Sequence, residues 1–237
     1  MEFVKRENEI LLTLNRFAEE ELDFVVVGGY AVSGLGKHRF SVDCDIVISK
    51  REIGKTEAVL KKHGFELDIE KTGFDETYSG EFVRYKKNVS GLPVTFDLLV
   101  GSLVCRNTGA SWSFDYIKKH AVEATITGIE TLANCRVPEK ELMIAFKIHS
   151  ARRTDVRDVI MMLGDLVLGD LDLDKVVAHM KRGNAIILKT QISHIMEMLD
   201  DERLVDSLKG VFTLTTYVKK QIEDTQKKME SLLKRLH

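Results

Sequence analysis

The sequence predicts an α+β fold: a mixed β-sheet with helices on one side, followed by an all-helical C-terminal domain. Three observations carry that prediction. Six short runs between residues 24 and 126 are β-branched or alternate apolar with polar, as strands do. Helical-period stretches at the N-terminus and near residues 51–63 supply a covering layer. From Pro138 onward only helical spacing remains, so the boundary is expected near residue 136, dividing domain 1–136 from domain 137–237.

The elements follow in chain order. Phe3, Ile10, Leu11, Leu14, Phe17 and Ala18 recur at helical spacing, so the N-terminal helix covers the sheet. Phe24 to Val27 is apolar enough for a buried strand, and it ends in Gly28-Gly29. Two glycines let the backbone turn sharply and leave no Cβ between the amides and a ligand. Tyr30 to Leu35 reads as a short helix whose start favours a phosphate.

The next strand carries the first acids. Val42, Cys44, Ile46 and Ile48 alternate with Asp43, Asp45 and Val47, so both carboxylates leave the same face. Side by side they repel, unless a hard divalent cation such as Mg2+ sits between them and a substrate phosphate. After the helix near 51–63, strands are expected near 65–70 and 81–87, with Thr72 to Gly80 as a loop. The run 93–100 alternates Val94, Phe96, Leu98 and Val100 with Thr95, Asp97 and Leu99. Asp97 therefore lies opposite a buried row, beside the first acid pair. Three acids from two adjacent strands suit a two-ion site, for Mg2+ or Mn2+, that activates a hydroxyl and neutralises a pyrophosphate leaving group. Asp43 and Asp45 would share coordination, and Asp97 would serve the attacking side and help remove the hydroxyl proton. Asn107 to Trp112 reads as a loop, with Trp112 a stacking surface or an ordinary partly buried aromatic. A last strand is expected near 121–126.

The Gly28-Gly29 pair, thirteen intervening residues, Asp43-Cys44-Asp45 and the later Asp97 together resemble the DNA polymerase beta-type nucleotidyltransferase superfamily. Gly28-Gly29-Tyr30-Ala31 and the run Arg39-Phe-Ser-Val-Asp-Cys-Asp45 are most similar to its AbiEii-like, minimal nucleotidyltransferase branch. Leu142, Lys147, Ala151, Arg153, Asp155 and Asp158 resemble the helical segment that follows the catalytic domain there. The resemblance spans residues 22 to 165; Ser41 departs from it, standing where the branch often has threonine. It implies metal-dependent transfer of a nucleoside monophosphate from a nucleoside triphosphate to a hydroxyl on RNA, protein or a small molecule. It also implies a place in a toxin–antitoxin pair. The alternative is a catalytically silent nucleotide-binding and protein-interaction module that acts through its C-terminal helix.

Supporting residues have two readings each. Lys147 reaches the triphosphate as a point charge, or is a solvated helix residue. Arg39 orients the acid strand or binds phosphate. Asp155 and Asp158 bracket Arg157 at a helix start, where acids suit the dipole. Arg152, Arg153 and Arg157 make a basic patch or a solvated face.

Bulk properties narrow the class. The 237 residues are 44% hydrophobic and 30% charged, with a formal net charge of −2, so a broadly basic nucleic-acid-binding surface is absent. Cys44, Cys105 and Cys135 are scattered, without the spacing of a disulfide framework or a zinc site. The charged N-terminus lacks the apolar region of a signal peptide, and no apolar run is long enough to span a bilayer. A cytoplasmic enzyme is expected. No P-loop or GxSxG motif points to a kinase or hydrolase. Last comes a heptad seam: Leu204, Leu208, Val211, Thr215, Val218, Ile222, Thr225, Met229, Leu232 and Leu236. It reads as one long helix, and residues 204–236 would pack on a second copy, another protein or this chain's own helices.

Overall fold

The computed structural model describes residues 2–36, 41–73, 75–164, 171–201, 203, 204, 206, 208 and 218–236. It divides into two compact units: residues 1–104 with 111–139, and residues 105–110 with 140–237.

The first unit is built on a five-stranded mixed sheet in the order β1-β2-β5-β4-β3. Its strands are β1 (Phe24–Val27), β2 (Asp43–Ile48), β3 (Glu66–Lys71), β4 (Glu81–Val89) and β5 (Leu92–Val100). β2 and β5 run parallel; the other neighbours are antiparallel. One face is apolar because alternate residues point the same way. Ile46, Ile48, Phe96, Leu98, Val83 and Tyr85 are all buried there. Helix α1 (Glu2–Glu19) covers that face with Ile10, Leu11, Leu14 and Phe17, none of them exposed. The Phe17 ring meets Phe24 at 5.6 Å and Phe96 at 5.5 Å edge-on, an arrangement aromatic quadrupoles favour. Burying each such side chain contributes about 1.5–3 kcal/mol. Helix α2 (Gly28–Gly34) follows β1, and α3 (Ile53–Lys62) follows β2.

The expected strand near 121–126 is β8 (Ala121–Thr127), while β6 (Ser102–Cys105), β7 (Ala110–Ser113) and β9 (Leu132–Pro138) were not expected from the pattern; the four make two two-stranded sheets, β6-β7 and β8-β9. Helix α4 (Phe114–Lys119) lies between them, capped by the Ser113 hydroxyl, which accepts from the Tyr116 amide. The run Asn107 to Trp112 is thus not wholly a loop: residues 110–113 are a strand, and Trp112 is fully buried. In β9 the buried residues Ala133, Cys135 and Val137 alternate with Asn134 and Arg136, the period of two that a half-buried strand shows. The β8-β9 turn is tied to α1, because the Glu7 carboxylate accepts from the Ile129 amide at 2.8 Å. The expected loop from 72 to 80 is anchored by Asp75, which accepts from the amides of Thr77 and Tyr78 and from the hydroxyls of Ser102 and Ser111.

The second unit is helical: α5 (Lys140–Ser150), α6 (Arg153–Leu163), α7 (Leu173–Met180), α8 (Ala185–Leu199) and α9 (Val218–Arg235). Side-chain caps start two of them. Asp172 accepts from the amides of Asp174 and Lys175, and Asn184 from those of Ile186 and Ile187. Within the seam, Val211 and Thr215 lie outside the described residues. Val218, Ile222, Thr225, Met229 and Leu232 are buried, and α9 packs on α6, α7 and α8. The described seam therefore serves this chain's own helices. His149 on α5 is also buried: Nε2 donates to the Met180 carbonyl at 2.9 Å, leaving Nδ1 to accept from Thr108 Oγ1 at 2.8 Å. Among the described residues, no helix is long and apolar enough to cross a membrane.

Candidate active site

The face of the sheet opposite Phe96 carries the acids. β1 ends with Val27 opposite Asp45 on β2, and Asp45 stands opposite Asp97 on β5. Asp43 is opposite Thr95 in the same parallel register. Strand pairing has thus brought residues 43, 45 and 97 to one face of neighbouring strands. On β4, Arg84 pairs with Asp97 from the other side.

Gly28 sits against this face. Its φ of +67° lies in the left-handed region, which side chains disfavour. A Cβ built there would lie 2.1 Å from Asp45 Oδ2. Only a glycine lets the backbone come this close to that carboxylate. Gly29 follows in the first turn of α2 and is buried. The entry to β2 is fixed from α2: the buried Tyr30 hydroxyl donates to the Ser41 carbonyl at 2.8 Å, and Ser41 Oγ donates to the Asp43 carbonyl at 3.0 Å.

Each acid has its own surroundings. Asp43 is exposed, and its Oδ1 accepts from Thr95 Oγ1 at 2.7 Å. Asp45 is half-buried. Asp97 is buried, and both of its oxygens accept from Arg84, Nε to Oδ1 and Nη2 to Oδ2, each at 2.7 Å. Hydrogen bonding to Asp97 holds the Arg84 proton more tightly than usual against partial desolvation, and the charges of Asp97, Asp43 and Asp68 add to it. Cys44 lies between the two acids on the opposite, fully buried face. Burial first, then the charge of Asp45, pushes its thiol well up, so it is a small core residue rather than a nucleophile.

Arg39 lies outside the described residues. Lys147 belongs to the helical unit, where its ammonium is buried between Asp155 at 2.9 Å and Asp158 at 2.7 Å. Burial raises the Asp155 carboxyl, but Lys147 and Arg152 outweigh it and bring the group down to about 2. Thr95 and Arg84 are the two site residues that sequence reasoning missed. Both belong to the polar rows of alternating strands, and only strand register shows which of those positions meets the acids.

No protein-family model matches this chain, and no curated protein does. Solved structures do. MenT4, a nucleotidyltransferase toxin from Mycobacterium tuberculosis, is 13% identical, with 98% of this chain and 86% of that one covered and a TM-score of 0.55. A candidate nucleotidyltransferase from H. pylori is 17% identical over 99% of this chain and 96% of that one, with a TM-score of 0.51. JHP933 from Helicobacter pylori is 16% identical over 98% and 91%, with a TM-score of 0.50. Likeness at such identities shows the fold, and the fold is the nucleotidyltransferase one that the diglycine and the acid pair led us to expect.

Proposed function

From this nucleotidyltransferase fold, we propose that the protein transfers a nucleoside monophosphate from a nucleoside triphosphate to a hydroxyl acceptor, with Mg2+ as the metal and Mn2+ able to replace it. The observation that carries the reading is the pairing of Asp45 with Asp97 across parallel strands, while Gly28 closes on Asp45 from the start of α2. Arg84 balances the charge of Asp97 alone, and one guanidinium does not account for three carboxylates on one face. Their donor set does: hard carboxylate oxygens are what Mg2+ and Mn2+ prefer.

Asp43, Asp45 and Asp97 would hold the metal, which supplies charge neutralisation at the triphosphate and a more acidic acceptor hydroxyl. The chain's own residues do the rest. Gly28, without a Cβ, lets the main chain lie directly against Asp45, so a triphosphate held at the acids would come close to that backbone. Thr95 holds Asp43 in one orientation. The acceptor oxygen bonds to the α-phosphorus as the bond to pyrophosphate breaks, and Asp97 takes the hydroxyl proton. Lys147 is neutralised inside the helical unit by two carboxylates, so its contact with the triphosphate has no separate support.

The acceptor is a hydroxyl on RNA, protein or a small molecule, and likeness to the toxin MenT4 supports a toxin–antitoxin role. A catalytically silent nucleotide-binding module is the second reading, favoured by the hold of Arg84 on both oxygens of Asp97. One experiment separates them. The protein is incubated with each labelled triphosphate, Mg2+ and total RNA or cell extract. Label transfer or pyrophosphate release that Asp43→Ala abolishes supports the enzyme; silence with every triphosphate and acceptor supports the module.

A further inference from the structure

Asp97 differs from the other two acids in what holds it. Its carboxylate faces a guanidinium fork, with two parallel bonds of 2.7 Å to Arg84. The Phe82 ring, two residues earlier on β4, lies 5.6 Å from the guanidinium carbon. An arginine held between an aromatic face and a carboxylate has given up much of its rotamer freedom, and the planar fork fixes the carboxylate in turn. Asp43 and Asp68 add negative charge around the same guanidinium.

We propose that Arg84 is a positioning residue: it stands at Asp97 as a cation, fixes that carboxylate opposite Asp45, and competes with a divalent ion for it. The inference rests on the metal-dependent transfer proposed above. Two effects of Arg84 then oppose each other. Its charge balances the carboxylates on this face and so weakens the claim of an incoming ion. Its fork keeps Asp97 aimed, which transfer requires because misplaced groups lose rate steeply. Removing the guanidinium therefore tightens metal binding and slows transfer together. A merely structural arginine would loosen both.

The test uses Mn2+ as the probe, titrated into the full nucleotide-free chain and followed by electron paramagnetic resonance. Arg84→Met is expected to bind Mn2+ roughly tenfold more tightly than the wild type, and at saturating Mn2+ its kcat falls at least about tenfold. Arg84→Lys keeps the charge without the fork, so its Mn2+ affinity stays near wild type while kcat stays low. If thermal melting finds Arg84→Met unfolded, the same comparison is made with Arg84→Gln. Unchanged or weaker Mn2+ binding in the neutral variant overturns the proposal, as does full activity in Arg84→Lys. Failure of the transfer reading is distinguishable: no triphosphate would give label transfer in the wild type, yet the affinity shift would still decide what Arg84 does.

Discussion

Gly28 and Asp45 are in such close approach that one added methyl group cannot fit between them: a Cβ on Gly28 would lie 2.1 Å from Asp45 Oδ2. The backbone there is also left-handed, at φ +67°. Gly28→Ala meets both penalties, at a cost of about 1–3 kcal/mol from strain at such a position. To relieve the clash, the Asp45 carboxylate must turn away. A lower melting temperature together with weaker Mn2+ binding is expected. Thermal melting and a Mn2+ titration check this, and normal binding in Gly28→Ala would show that Asp45 is not a ligand.

Thr95→Val removes the hydroxyl that donates to Asp43 at 2.7 Å while keeping the shape of the strand residue. Asp43 is exposed, so water replaces the lost bond and stability changes by no more than about 1 kcal/mol. Orientation is what suffers. We expect transfer to fall about tenfold while the melting curve barely moves. A variant as active as the wild type would mean that Thr95 does not aim Asp43.

In the helical unit, Lys147 is the cation between two buried carboxylates. Lys147→Met leaves them without it, and breaking a buried pair in this way costs about 3–5 kcal/mol. Urea unfolding should show a loss of that size. Because the Asp155 carboxyl is lowered to about 2, its stabilisation is complete above the ordinary value of 3.8 and disappears as pH falls through about 2. The wild-type chain should therefore lose this contribution only in strong acid, and in Lys147→Met the loss should begin at higher pH.

His149 predicts a second, milder window. Burial lowers its pKa from 6.5 to about 4, with the bond to the Met180 carbonyl opposing only in part. The folded helical unit favours the neutral ring, so stability is complete above pH 6.5 and falls as pH drops towards about 4. The loss amounts to about 3 kcal/mol at most. Unfolding midpoints measured across that range should fall in the wild type and stay flatter in His149→Gln. Equal slopes in both proteins would remove His149 as the source.

The seam in the last helix shows where sequence periodicity runs out. Its spacing was legible from Leu204 to Leu236, but spacing does not say which surface a seam meets. Val218, Ile222, Met229 and Leu232 turned out to be buried against helices of the same unit. Strand β9 shows the opposite limit. Its buried Ala133, Cys135 and Val137 alternate with Asn134 and Arg136 as strand residues do, but Ala133 and Cys135 are small, so the apolar row is faint in the sequence.

The sequence by itself determined the strands that carry the acids, their alternation and the glycine bend, because these depend on residues within a few positions of one another. The period of two already places Asp43 and Asp45 on one face of β2, and Asp97 opposite the apolar row of β5. Only the tertiary structure decided that Asp97 stands opposite Asp45 and that Thr95 reaches Asp43. These are relations between residues 52 positions apart on two strands, which no local pattern aligns. Arg84 instead faces Asp97 across the Ser90-Gly91 hairpin, whose short turn sets that register locally.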